Sequence, residues 1–187
     1  MAVIGNKIAN PAPLGLMGFG MTTVLLNVHN AGFFPVGSMI MAMGLFYGGM
    51  AQVMAGYMSY KNGDTFSTTS FTSYGFFWLS LVFIWLLPSM GLAKPTEPAF
   101  MGVYLTMWGI FTLFLFFGTF KYCLAKRVVF GSLVVLFALL ALHNFFHSEI
   151  IGIIAGYEGI FCGASAIYFA MGLVLNETFD REVLPLG

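Results

Sequence analysis

Charge is what this sequence has least of. Of its 187 residues only 7% are charged, seven basic and seven acidic, so the formal net charge is zero. A soluble domain carries about 25%. A chain that is 59% apolar would expose large sticky patches in water, so the bilayer is its natural solvent. No basic run is present, which argues against nucleic acid as a partner. Cysteine is nearly absent too. Cys123 and Cys162 lie in apolar segments with no neighbour at metal-like spacing and read as buried thiols. No metal or cofactor is expected. The first apolar segment lacks a basic leader and a small-residue cleavage site, so it does not read as a signal peptide.

Catalytic patterns are missing as well. The sequence holds no G-x-S-x-G, no H-E-x-x-H and no glycine-rich phosphate loop followed by lysine. His29, His143 and His147 fall near expected helix ends instead of forming one midplane cluster. An enzyme is therefore not expected.

What is present is a series of long apolar runs. A membrane-crossing helix needs roughly 20 mostly apolar residues, and six segments qualify, at about residues 14–34, 36–60, 71–92, 100–120, 128–146 and 150–175. The expected fold is an all-α integral membrane protein, a single six-helix transmembrane domain over residues 1–187. The breaks are short, so sequential helices should be antiparallel neighbours. Lys7, Lys61, Lys121, Lys126, Arg127 and Arg181 fall on the N-terminal side, and only Lys94 falls on the other. The positive-inside bias makes both termini cytoplasmic. Gly44 and Gly48, Gly152 and Gly156, and Gly159 and Gly163 form G-x-x-x-G spacings. Such faces pack helices closely, within a subunit or between subunits.

Polar side chains inside the apolar runs mark candidate function. Asn10, Pro11 and Pro13 form a broken helix entry. Beyond it Phe19, Thr23, Asn27 and Asn30 share one helical face. Asn10, Thr22, Thr23, Asn27, Gln52 and Ser73 offer hydroxyls and amides that hold a carboxylate without a permanent positive charge. The same groups also serve as interhelical hydrogen bonds, and the residues alone leave glue and pathway evenly balanced. Glu158 is the one ionisable group well inside a helix. It is a candidate for proton handling, or else it sits shallow, two turns from its helix start. His29 is a second candidate, because histidine titrates near neutrality, although an interfacial anchor explains it equally well.

The run Asn10-Pro11-Ala12-Pro13-Leu14-Gly15-Leu16 resembles the NPAPLGL signature of the acetate uptake transporter family, whose bacterial members are the succinate–acetate permeases. GFGMTT at 18–23, FYGG at 46–49, FTSYG at 71–75, LFALLA at 136–141 and CGASAIY at 162–168 extend the likeness over nearly the whole chain. The resemblance implies a homohexamer of six-helix inner-membrane protomers, each with its own pathway. It implies transport of acetate, and in many members succinate, with proton coupling; a passive weak-acid or small-solute channel is the alternative. It also implies a hydrophobic constriction at Phe19, Tyr74 and Leu133, with Leu133 placed only by its distance from LFALLA. Glu158 belongs to no motif of the family.

Overall fold

The structure is a computed structural model that describes residues 8–187. Lys7, counted above for orientation, lies outside the described residues. Six helices follow one another, and among the described residues there are no strands. They are α1 (Ala12–Asn30), α2 (Ser38–Lys61), α3 (Thr65–Ser89), α4 (Pro98–Lys121), α5 (Leu124–Phe146) and α6 (Glu149–Thr178).

Local chemistry sets their ends. Pro13 sits in the first turn of α1, where its missing N–H costs nothing. Asn10 Oδ1 accepts from Ala12 N at 3.0 Å just outside that turn. Asp64 caps α3, accepting from Ser67 N at 3.0 Å. The Ser/Thr run after Asp64 is therefore helical, and α3 begins six residues before the expected 71. Burial is the largest single influence on Asp64 and opposes its ionisation, but the hydrogen bonds from Ser67, the Lys126 charge and the Phe66 amide together outweigh it and hold the carboxyl below its usual range. Ser148 caps α6, and His147, left-handed at φ 53, ends α5.

Helices α2 to α6 are each long and apolar enough to cross a membrane. The 19-residue α1 is not among them, because Thr22, Thr23, Asn27, His29 and Asn30 dilute its apolar content. Its neighbours supply the shielding instead, since Thr22, Thr23 and Asn27 are all buried.

Helix α2 departs from the expected single α-helix. Residues Gly44–Ala51 form π turns, with α-helical geometry on both sides. Three glycines lie in this segment, and the apolar run around them gives no sequence sign of the change in winding.

The bundle closes through α1, which packs on α6 and α2, while α2 packs on α3, α4 on α5 and α5 on α6. The α3–α4 pair departs from simple neighbour packing. Their backbones stand apart and meet through side chains. Phe77 stacks on Tyr104 at 5.9 Å and meets Trp108 edge-on at 5.2 Å. Ser80 Oγ lies 2.7 Å from Tyr104 Oη.

The small residues do their packing within the chain. A Cβ at Gly20 would lie 2.8 Å from Gly163 O, and one at Gly163 would lie 2.7 Å from Gly20 O, so α1 and α6 meet backbone to backbone. Gly156 faces Ala31 and Gly159 faces Asn27 on the same seam. Gly48 faces Trp78 and Thr22.

The polar tail after α6 folds back. Asn176 Oδ1 accepts from Val183 N at 2.7 Å and Leu184 N at 2.9 Å, and Asn176 Nδ2 donates to Leu184 O at 2.9 Å. The turned tail then caps α5, because Ala125 N donates to Leu186 O at 2.9 Å and Leu124 N to Gly187 O at 3.2 Å. Two of the amides that every helix start leaves unpaired are satisfied this way.

Candidate transport pathway

Two cavities lie along the interior of the bundle. The narrow one, about 50 Å³, is lined on α1 by Ala12, Leu16 and Phe19, on α3 by Ser67, Ser70 and Tyr74, and on α5 by Lys126, Val129, Phe130 and Leu133. Gln52 of α2 and Phe169 of α6 complete it. The wide one, about 540 Å³, opens at the other end between Leu26, His29 and Asn30 on α1, Leu81, Trp85 and Pro88 on α3, and Leu140 and Asn144 on α5.

Helical spacing shows that the two share an axis. On α1 the positions 12, 16, 19, 23, 26 and 30 recur every three or four residues and form one stripe. The first three line the narrow cavity and the last two line the wide one. Thr23 falls between them, buried, with its hydroxyl unpartnered. On α3 and α5 the matching level holds Phe77 and Phe137, both buried and edge to face at 5.3 Å. From Phe19 to Leu26 the rise is roughly 10 Å at ~1.5 Å per residue. One layer of packed side chains therefore separates the cavities.

Phe19, Tyr74 and Leu133 meet at the inner end of the narrow cavity, each the last lining residue on its helix before that layer. The rings of Phe19 and Tyr74 are 6.2 Å apart and tilted by 42°. Tyr74 is held from outside the cavity. Its Oη lies 2.9 Å from Thr112 Oγ1. Thr112 spends its one hydroxyl hydrogen on Trp108 O at 2.7 Å, so Tyr74 is the donor.

The other residues singled out by the sequence fall into three groups. Gln52 lines the narrow cavity with a buried, unpartnered Oε1, and Thr23 stands in the layer beyond. Thr22 and Asn27 line neither cavity, because they turn off the stripe toward neighbouring helices. Thr22 Oγ1 donates to Met43 O at 3.4 Å on α2. Asn27 faces Gly159 of α6 and bonds to Thr23 O and Asn30 within its own helix. Ser73 is half-buried and lines neither cavity, since it sits about 100° round the helix from Tyr74. Asn10 is exposed at the mouth and occupied by the entry turn of α1.

Of the ionisable candidates, His29 lines the wide cavity, and its Nδ1 donates to Phe34 O at 2.7 Å. Glu158 lines neither cavity; its Oε2 is enclosed without a partner on the flank of α6. His29 and His143 share a separate cleft with Glu149, and Glu158 does not reach it. Cys162 is buried and Cys123 half-buried, both free. Among the described residues no group of His, Cys, Asp or Glu is arranged to hold a metal.

Three polar lining residues stand outside the candidate site set, although Ser67 and Ser70 belong to the hydroxyl run that enters α3. Ser67 and Ser70 precede Tyr74 at i−7 and i−4, a spacing that was available. Lys126 precedes Val129, Phe130 and Leu133 by three, four and seven residues, but its charge reads as a turn marker.

Known proteins of the same architecture take part in transport. The chain is 60% identical to the succinate-acetate/proton symporter SatP of Escherichia coli K12 over 98% of both chains. A solved structure of the bacterial acetate channel SatP superimposes with a TM-score of 0.96 at 60% identity, covering 97% of this chain and all of that one. Ammonia transport outward protein 2 of Saccharomyces cerevisiae is 36% identical over 75% of this chain and 52% of its own length. None of these is an enzyme by name, and the chain is likewise no enzyme but a multi-pass inner-membrane protein. The match of residues 1–185 to the GPR1/FUN34/yaaH family completes the assignment: the chain belongs to that family.

Proposed function

We propose that this protein carries acetate, and also succinate, across the inner membrane, through a pathway in each protomer, with the movement coupled to protons. The observation that supports this most is the pair of cavities on one axis with a single packed layer between them. That is the layout of a path closed at one level.

The narrow cavity suits a small carboxylate. A water site needs roughly 10–15 Å³, so a cavity of about 50 Å³ takes a molecule of only a few heavy atoms. Its polar groups are mostly hydroxyl and amide, which hold an anion weakly enough to release it. Phe19, Tyr74 and Leu133 would form the constriction that sets the size limit. Thr23 would offer the one hydroxyl in the closed layer. Thr22 and Asn27 would act by positioning α1, and Asn10 and Ser73 are left with no substrate contact.

Proton handling fits His29, which stands in the wide cavity, better than Glu158, which stands outside both. A passive channel is the second reading. It is favoured by the make-up of the closed layer, where Thr23, Phe77 and Phe137 are none of them ionisable. Both termini would be cytoplasmic, with Lys61, Lys121, Lys126, Arg127 and Arg181 on that side and Lys94 opposite. Homohexamers, expected from the family resemblance, would be read by native mass measurement.

Radiolabelled acetate uptake into proteoliposomes tests the proposal. Uptake should saturate and should run uphill when an inward proton gradient is imposed. Saturable uptake without uphill accumulation leaves the channel reading. No uptake above empty liposomes overturns both.

A further inference from the structure

Lys126 is an unexpected place for an ammonium. It is the third residue of α5, where the positive end of the helix dipole disfavours a cation. It is also not parked on a carboxylate. Its Nζ rests 3.5 Å from the ring centre of Tyr122 and 4.0 Å from that of Phe66, and those rings are 5.3 Å apart. Asp64, which attracts it at longer range, is already engaged as the cap of α3.

The other described basic residues at this end of the bundle stay out of the narrow cavity. Lys61 and Lys121 are exposed. Arg127 Nη2 donates to Tyr122 O at 3.1 Å, and its Nε is enclosed without a partner. Lys126 alone among them lines the narrow cavity.

The rest of the lining completes a receptor for an anion. Ser70 Oγ makes only a long bond, 3.4 Å, to Ser67 O, which a better acceptor would displace. No carboxylate lines the cavity, so the cation has no competitor inside. Two aromatic faces stabilise the ammonium without neutralising it, and its N–H groups remain free for a ligand. Phe66 also meets Phe130, and Phe130 meets Tyr74, at 5.3 Å and 6.2 Å. One aromatic wall thus runs from the lysine to the inner end of the cavity.

We propose that Lys126 is the anion-capturing, specificity-determining residue of the narrow cavity, its ammonium leaving the Phe66 and Tyr122 rings to bind the carboxylate of the passing substrate. The species taken up is then the ionised acid, chosen over a neutral molecule of the same shape. This rests on the transport reading above.

Acetate and its neutral isostere acetamide separate charge from shape. In proteoliposomes, Lys126→Met should raise the acetate KM at least about tenfold, the size of one lost charge-assisted hydrogen bond. Acetamide entry should not change, and Lys126→Arg should stay within about threefold of the native KM. An unchanged acetate KM in Lys126→Met overturns the proposal. So does a parallel loss of acetamide entry, which would mark a structural role. Acetate-dependent thermal stabilisation of the purified protein gives an arm independent of flux. Stabilisation in the native protein that is lost in Lys126→Met, with no uptake in liposomes, would sink the transport reading and keep this one. Equal stabilisation of both proteins would overturn it.

Discussion

The side chain of Asn27 occupies the space that a side chain at Gly159 would need. It joins the Gly20–Gly163 and Gly156–Ala31 approaches in holding α1 against α6. The Asn27 amide is held there by bonds to Thr23 O at 2.9 Å and from Asn30 Nδ2 at 2.9 Å. Gly159→Ala should therefore destabilise by about 1–3 kcal/mol, as overpacking does, even though alanine is the better helix former. Thermal melting in detergent reads this. Adding Asn27→Ala should recover part of the loss, because the new methyl then enters vacated space. If the double variant melts no higher than Gly159→Ala, the two residues are not coupled.

Phe19→Ala and Leu133→Ala each remove bulk where the narrow cavity ends. Both variants should admit larger monocarboxylates, such as butyrate, more readily than the native protein does. Competition of these acids against labelled acetate measures the change. An unaltered substrate range in both variants would remove Phe19 and Leu133 from the size filter.

Asp64 gives a pH dependence with a definite sign. Its folded pKa lies below its unfolded value, so its contribution is fully present above about pH 3.9. That contribution disappears as pH falls through the lower, folded value. The melting temperature of the native protein should drop over that acid window more steeply than that of Asp64→Asn. Asparagine still caps a helix but does not titrate. Asp64→Ala should cost about 1 kcal/mol at neutral pH by loss of the cap. Parallel melting curves for native and Asp64→Asn across pH 5 to about 2.5 would contradict the assignment.

Asn176 holds the folded-back tail by three hydrogen bonds. Asn176→Ala should free it and leave the Leu124 and Ala125 amides without their acceptors. Hydrogen exchange at Val183, Leu184 and Leu186 and at those two amides should then speed up about tenfold or more, the scale of one lost bond. Faster exchange at the tail alone would mean that α5 finds its cap elsewhere.

Much of the fold was legible because its signals are local. Long apolar runs gave the helices, and Pro11 and Pro13 mark the start of the first, whereas the start of α3 at Asp64 was missed because the hydroxyl run after it reads as a break. The convergence of Phe19, Tyr74 and Leu133 was legible through motif likeness, since three residues so distant in sequence carry no local sign of meeting. The helix-1 face was only half legible. Phe19 and Thr23 lie on the axis stripe, but Asn27 serves the α6 seam and Thr22 the α2 seam. A single helix cannot reveal which of its faces a neighbour will cover. Lys126 was hidden for a similar reason. In sequence it borders a polar turn, and only the packing of α5 against α3 brings it into the cavity with Ser67 and Ser70.

The π turns at Gly44–Ala51 fix more than the shape of α2. Their winding sets the azimuth of everything after them, and Gln52 is the next residue in line. Restoring regular α winding here with the number of residues unchanged would turn the remainder of α2 by about 100°. The Gln52 amide would then face the outside of the bundle. This span of chain is thus a rotational setting, whose winding matters more to the pathway than the identity of most side chains within it.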